Sequence, residues 1–396
     1  MKENEKDTGV HWIGNRRRLK PFKLGGDAGT TLGLLTGITP GETVVEQEVA
    51  KAKVGIRYGV RTITDLTTTG DETLLRDLLD LDLAVGTVPI YGAIATKHRT
   101  VSLASHLFHR IQEGVANGVD FFSIHASLTP GMLRSLAHTN RAIPITSRGG
   151  ALLGASMRRT GAENPFVEVF DELLSLCAEN FVALSFVASF RPGSISDADS
   201  SEYLDELQLI GALARRATRS GVTTMVELVN HVPLGSIAQH VERGRTLFPT
   251  SALGALGPSP TDIAVGLDDV AGAIGAAVAA SAGIDWINLV TSGEHSHLPS
   301  LDETTQALRY FQLALHIGAI SSLNSQERDR ALSVARARND WDVMADLAID
   351  PDLARALYRE HDNHSGEACS MCGSTCPLVR ARTWPKASHS VEPTGV

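Results

Sequence analysis

The sequence predicts a (β/α)8 barrel followed by a helical appendage that carries a cysteine-rich segment. Three observations predict it. Short apolar runs alternate with segments of helical period from Thr31 to Val290. Those runs are almost wholly apolar, as strands of a parallel sheet covered on both faces must be. Beyond Pro299 the pattern turns to helices alone. A chain of 396 residues can bury one large core of this kind.

Taken in order, Thr31 to Leu35 reads as a strand, and Val45 to Tyr58 has helical spacing with Glu and Lys on its outer face. Thr62 to Leu66 precedes a helix from Glu72 to Leu83, Val85 to Ile90 one from Val101 to Ala116, and Asp120 to Ile124 one from Gly131 to His138. Ile143 to Thr146 reads as a strand leading into a Gly-rich turn, Ser147 to Gly150. Ala183 to Val187 precedes Glu202 to Arg219, and Thr223 to Leu228 precedes Gly235 to Arg243. Asp285 to Val290 follows a Gly/Ala helix between Val270 and Gly283. About eight or nine strand candidates point to a closed barrel rather than an open sheet. The appendage then holds helices over Asp302 to Ile317, Ser325 to Ile349 and Asp350 to Glu360. The expected division is a polar leader at 1–30, the barrel at 31–299, the appendage at 300–381 and a disordered Pro/Ser/Thr-rich tail at 382–396.

A hydrophobic content of 43% with 20% charged residues describes a soluble globular protein. The net charge of −9 argues against a nucleic-acid partner, which is met with dense Lys and Arg. Arg16, Arg17 and Arg18 form a basic run with no apolar segment after it, so they read as a solvated arm rather than a targeting signal. The most apolar stretch, Val270 to Gly283, is too short to span a bilayer, and no membrane partner is expected. Four cysteines, three of them clustered and Cys177 alone in an apolar pattern, make no disulfide framework; a reducing cytoplasm is expected.

Barrel enzymes place their chemistry where strands end, so polar residues there are informative. Tyr91, His125, Arg191, Glu227 and Glu294 with His295 fall at or after such ends, as does Ser147-Arg148-Gly149-Gly150. Tyr91 or His125 alone is more often a hydrogen-bonded core group than a catalyst. Glycines beside an arginine offer free N–H groups and a forked cation, which suits a phosphate, and Arg148 is the preferred contact. His231 and His295 could share one divalent ion, with His297 as a competing ligand if that segment is extended.

Cys369, Cys372 and Cys376 lie within eight residues, a spacing that bends the chain round one centre. A closed structural zinc site takes four protein ligands, whereas a 4Fe-4S cube on three thiolates leaves one iron open. The odd count favours the cluster. Zinc stays open if His361 or His364 supplies a fourth ligand, and so do free thiols or a disulfide.

The chain resembles the phosphomethylpyrimidine synthase family of radical S-adenosylmethionine enzymes from about Leu32 to Cys376. The likeness rests on Val85-Gly86-Thr87-Val88-Pro89-Ile90-Tyr91, Ile124-His125-Ala126, Ser147-Arg148-Gly149-Gly150 and Arg191-Pro192-Gly193-Ser194-Ile195. It continues through Glu227 with His231-Val232-Pro233, Leu256-Gly257-Pro258 with Thr261-Asp262-Ile263-Ala264, Glu294-His295 and Cys369-Ser370-Met371-Cys372-Gly373. The resemblance implies a (β/α)8 barrel with a C-terminal cluster segment, in a homodimer where that segment covers the partner's barrel. It implies a 4Fe-4S cluster on Cys369, Cys372 and Cys376 whose open iron chelates S-adenosylmethionine, reduced by a donor such as flavodoxin or ferredoxin. It also implies a divalent metal, zinc or iron, on His231 and His295. Tyr91, His125, Ser147, Arg148, Gly149, Arg191 and Glu227 would contact substrate, with Glu227, Tyr91 and His125 as catalytic groups. The reaction implied is the thiamine-pathway rearrangement of aminoimidazole ribonucleotide to hydroxymethylpyrimidine phosphate, a lyase reaction begun by a 5'-deoxyadenosyl radical.

The departures are selective. The second cysteine gap is one residue shorter than usual in the family. An expected Asn is Leu35, a Met is Thr64, an Asp-Gly-Leu is Ala188-Ser189-Phe190, a Gly-Pro-Gly is Leu228-Val229-Asn230, and a substrate Tyr is Gly254. Each lost buried partner costs about 1–3 kcal/mol. Phosphate and metal groups survive while base contacts do not, so the expectation is a divergent paralogue with a changed phosphorylated substrate. Two other readings compete: a metal-dependent barrel aldolase or hydrolase with a structural zinc, and a ligand-binding barrel that has lost catalysis.

Overall fold

The computed structural model describes residues 11–14, 20–41, 44–97, 101–322 and 326–382. An antiparallel hairpin, β1 (His11–Ile13) and β2 (Phe22–Leu24), comes first. Eight parallel strands follow: β3 (Thr31–Thr36), β4 (Val60–Asp65), β5 (Ala84–Thr87), β6 (Phe121–Ile124), β7 (Ala183–Val187), β8 (Thr224–His231), β9 (Ala252–Ser259) and β10 (Trp286–Asn288). They close into a barrel in sequence order, with β10 paired to β3. Outward apolar residues such as Ile63, Val85, Phe122, Leu184, Val226 and Ile287 are buried beneath the surrounding helices in one continuous core.

The strand count agrees with the sequence, but its membership does not. Ile143 to Thr146 is a loop, not a strand. Pro144 cannot donate to a ladder, and the Ala142 and Ile143 N–H groups donate instead to the Asp197 carboxylate at 2.8 and 3.0 Å. The eighth strand is β9, whose Ala-, Gly- and Pro-containing sequence carries little strand signal. Its Gly254 is required by packing: a Cβ there would lie 2.2 Å from the Trp286 indole. Gly86 likewise makes room for the Phe121 ring, 2.1 Å from where its Cβ would stand.

The leader at 1–30 is not simply a solvated arm. Ile13 and Leu24 are fully buried with Ala84, Phe121, Ala183, Met225, Ala252 and Trp286, residues at or next to the first position of their strands. The hairpin therefore seals the N-terminal end of the barrel, each such aliphatic side chain contributing about 1.5–3 kcal/mol by burial. Arg16 to Arg18, and the tail beyond Arg382, lie outside the described residues.

The chain divides into two compact units, Met1–Leu323 and Asn324–Val396. The helix Leu301–Ser322, expected in the appendage, belongs to the first unit; it packs along the Gly/Ala helix, where Gly318 faces Ala280. In the second unit the single helix expected over Ser325 to Ile349 is two, Glu327–Arg338 and Trp341–Asp346. Asn339 breaks it, in the left-handed conformation at φ 50°. Its Nδ2 donates to the Glu367 carbonyl at 2.6 Å, which ties the break to the segment before the cysteines. A further helix, Pro351–Glu360, packs Tyr358 against Trp341. Among the described residues no helix is long and apolar enough to cross a membrane.

Candidate active site

The C-terminal ends of the barrel strands surround a cavity of about 340 Å³, within the range of small-ligand sites. Tyr91, His125, Ser147, Arg148, Arg191, Glu227, His231 and His295 all line it. Eight residues scattered over two hundred positions of sequence thus share one mouth, as the strand-end reading requires.

Local structure sets each of them. Pro89 starts a short helix, Pro89–Ala95, so β5 stops at Thr87 and Tyr91 lies in the helix's first turn rather than at a strand end. Burial raises the Tyr91 pKa against the opposing pull of Arg148 and Arg191, and the Arg148 guanidinium carbon lies 5.9 Å from its ring centre. Ser147 to Gly150 is a helix start, not a free turn. Ser147 caps the helix Arg148–Thr160, accepting from the Gly150 N–H at 3.4 Å. A helix N-terminus beside Arg148 is a ready anion site.

His125 is entirely buried, and burial followed by the charge of Arg191 pushes its pKa down to about 3. It is a neutral imidazole whose Nε2 shares a short hydrogen bond with the Ser147 hydroxyl, while its buried Nδ1 has no partner among the described residues. Gly149 does not line the cavity. Its role is clearance: a Cβ there would lie 2.2 Å from His125 Cε1.

Irregular pairing between Glu227 and Val229, and again between Val229 and His231, breaks the alternation of β8. Glu227, Asn230 and His231 therefore all face the cavity, and His231 ends the strand instead of following it. His231 Nδ1 is 2.8 Å from Asp262 Oδ1. Its pKa is lowered by burial, with Asp262 opposing. Burial pushes the Asp262 carboxyl up, but hydrogen bonds from His231, the Ile195 N–H and Ser194 outweigh it and hold the pKa below normal.

His295 occupies the left-handed region at φ 61°, a conformation of about 1–3 kcal/mol strain for a non-glycine residue. Its ring centre is 5.2 Å from that of His231, and its Nδ1 lies 3.4 Å from Asp268 Oδ1. The segment is turned, not extended, so His297 does not stand beside it as a ligand. His297 Nε2 instead lies 2.8 Å from Glu303, the residue whose carboxylate accepts from Ser300 at the start of the following helix.

Glu294, read with His295 as a strand-end residue, also lines the cavity; burial raises its pKa, while His295, Arg191 and Arg148 oppose the rise. One further carboxylate escaped that reading. Glu206, on the helix Ser201–Arg219, is fully buried and accepts from Ser127 Oγ, the Ser189 N–H and the Phe190 N–H at 2.7, 2.8 and 2.7 Å. It fixes the backbone leading into Arg191, whose buried Nε has no hydrogen-bond partner among the described residues.

In the second unit, backbone bonds from the Cys372 and Gly373 N–H groups to the Cys369 carbonyl, at 3.3 and 2.9 Å, curl the three cysteines into one turn. Cys376 is buried, and the N–H groups of Val379 and Leu378 lower its pKa against burial. The Cys372 pKa is raised by burial and then by the thiols of Cys369 and Cys376. Like-charged thiolates in one turn suit a shared cation or cluster. Among the described residues no three His, Cys, Asp or Glu side chains already surround one metal-sized centre, and neither His361 nor His364 completes a set with the cysteines.

Residues 9–383 match the family model described as the radical SAM ThiC family. The chain belongs to that family. Phosphomethylpyrimidine synthase of Thermus thermophilus is 37% identical over 374 residues, covering 92% of this chain and 86% of the relative. The enzymes of the same name from Desulforamulus reducens and Ignicoccus hospitalis are 35% and 36% identical, covering 92% and 86% of this chain and 86% and 80% of theirs. Within the radical SAM ThiC family the departures noted above now have positions. Leu35 and Thr64 line the cavity with Leu66, Val88, Val187, Leu256 and Val290, whereas Gly254 lies under Trp286 and off the lining.

Proposed function

We propose that this chain is a radical S-adenosylmethionine enzyme of the lyase class acting on a phosphorylated, ribonucleotide-like substrate. The substrate is aminoimidazole ribonucleotide or, as the apolar cavity wall favours, a related compound with fewer polar groups on its base. The observation that carries the reading is the cavity lining, which combines Arg148, Arg191 and a helix start with the aliphatic Leu35, Leu256 and Val290.

Arg148, Arg191 and the N–H groups at the start of the helix hold the phosphate. Neutral His125 presents a fixed hydrogen-bonding atom through its bond to Ser147. Glu227 and Glu294 are placed to hold or accept a proton of the bound substrate. His231 and His295 fit a divalent ion, zinc or iron, because Asp262 and Asp268 lie toward the Nδ1 atoms and leave the Nε2 atoms for coordination. Cys369, Cys372 and Cys376 fit a 4Fe-4S cluster, which when bound supplies the electron for reductive cleavage of S-adenosylmethionine. Once covered, the cavity would keep water and stray hydrogen donors from a reactive carbon centre.

The electron comes from a flavodoxin- or ferredoxin-like donor. The working form is a homodimer, an arrangement supported by the family resemblance and by Leu353, Leu357 and Met371, which the second unit leaves exposed. Anaerobic incubation with reductant, S-adenosylmethionine and aminoimidazole ribonucleotide, followed by mass spectrometry, tests the reading. We expect 5'-deoxyadenosine and little hydroxymethylpyrimidine phosphate. Normal turnover to that product refutes the changed substrate, and reconstituted protein holding zinc but no iron at the cysteines refutes the radical chemistry.

A further inference from the structure

Asp262 is bonded to three partners from two parts of the chain. Its Oδ1 takes His231 Nδ1 at 2.8 Å, and its Oδ2 accepts from Ser194 Oγ at 2.8 Å and from the Ile195 N–H at 3.0 Å. Ser194 and Ile195 continue the segment that begins at Arg191, a lining residue of the cavity. One carboxylate therefore holds both a histidine of the pair and the loop carrying a cavity arginine.

Asp268 has the matching relation to the other histidine. It begins the helix Asp268–Ser281, its Oδ1 lies 3.4 Å from His295 Nδ1, and its buried Oδ2 has no hydrogen-bond partner among the described residues. A carboxylate accepts from an imidazole N–H and has no proton of its own to give, so the 2.8 Å bond to Asp262 puts the His231 ring proton on Nδ1, and Asp268, 3.4 Å away, draws the His295 proton to the same atom by its charge. The Nε2 lone pair is then free on both rings, whose centres are 5.2 Å apart. The tautomer of both rings is thus set by two acidic residues that do not line the cavity.

We propose that Asp262 and Asp268 are positioning residues that orient His231 and His295 toward a shared divalent ion, and that Asp262 also joins that ion's site to the Arg191 loop. This rests on the reading of His231 and His295 as metal ligands. It adds the residues that make the pair competent and the mechanical link to the cavity arginine. The side-chain bond from Ser194 can be removed without touching the bond to His231, while the Ile195 N–H keeps the loop on the carboxylate, so weakening of the loop link is read separately from loss of the histidine bond.

Cobalt(II) titration of the full-length protein with Cys369, Cys372 and Cys376 occupied by their cluster, followed by calorimetry and with no substrate present, tests the proposal. Asp262→Ala and Asp268→Ala should each weaken cobalt binding about 10- to 100-fold. Ser194→Ala should leave cobalt affinity within about twofold of the parent. Should Asp262→Ala fail to fold, Asp262→Asn preserves the shape and should still lose about tenfold, because an amide fixes the tautomer less strictly. If His231→Ala abolishes cobalt binding while both aspartate variants bind like the parent, the positioning role is wrong and the histidine pair stands. If His231→Ala itself binds cobalt normally, the ligand reading fails and the inference with it. A loss in Ser194→Ala equal to that in Asp262→Ala overturns the direct carboxylate–histidine role, since the loop alone would then set the affinity.

Discussion

Truncating Leu24 to Ala separates a structural hairpin from a solvated arm. Leu24 is fully buried among Ile13, Phe121, Met225 and Trp286 at the N-terminal end of the barrel. Removing a buried leucine's outer carbons loses their transfer free energy and leaves a cavity that neighbours only partly refill, together about 2–5 kcal/mol. Phe121 and Trp286 sit beneath glycines, at Gly86 and Gly254, whose missing Cβ atoms already define their niches. Those rings are therefore poorly able to slide into the space, which places the expected cost in the upper half, about 3–5 kcal/mol. A surface arm would give a change within about 0.5 kcal/mol. Urea unfolding followed by far-ultraviolet circular dichroism distinguishes the two, since the midpoint moves in proportion to the lost stability. A change below about 1 kcal/mol would refute the sealing role of the hairpin.

Three further outcomes are expected. Burial raises the Asp65 pKa from 3.8 to about 6, against hydrogen bonds from Thr67. Its folded value exceeds the unfolded one, so its contribution is fully favourable below about pH 4 and is lost as pH rises through about 6, by roughly 3 kcal/mol. Asp65→Asn should accordingly gain on the parent between pH 4 and pH 7 in urea denaturation, and a pH-independent difference between the two proteins would contradict this. Glu206→Ala strands a hydroxyl and two N–H groups at about 1–3 kcal/mol each, so thermal unfolding should show at least ~3 kcal/mol lost; equal stability would mean the carboxylate is dispensable. Gly149→Ala gains about 1 kcal/mol of helix propensity but drives a methyl into His125. The displaced imidazole should titrate well above its present value of about 3 in a proton NMR titration, and an unmoved resonance would show that the ring has no need of that space.

The barrel was legible because seven of its strands carry near-continuous apolar runs, which only a covered parallel sheet explains. It was misread where local composition and tertiary demand part company. Ile143 to Thr146 has strand-like residues, but Pro144 and the Asp197 carboxylate commit its backbone elsewhere. Ala252–Ser259 has unpromising residues, yet two flanking strands and the Trp286 ring make it a strand. The site residues were legible by their position after strands, and the two-residue periodicity failed only at Asn230, where irregular pairing in β8 shifts the faces. Glu206, Asp262 and Asp268 act through other residues, from a helix, a loop and a helix start, where an acidic side chain looks like ordinary surface.

Closure of the ladder between β10 and β3 has a consequence for biosynthesis. Thr30 Oγ1 donates to the Ile284 carbonyl, and Thr31 pairs with Trp286, so the earliest strand of the cylinder waits for the latest. A nascent chain still short of residue 286 exposes the open edge of β3 and has no indole to occupy the notch over Gly254. Translation stalled just before that tryptophan should yield an aggregation-prone fragment, whereas release a few residues after Asn288 allows the edges to meet.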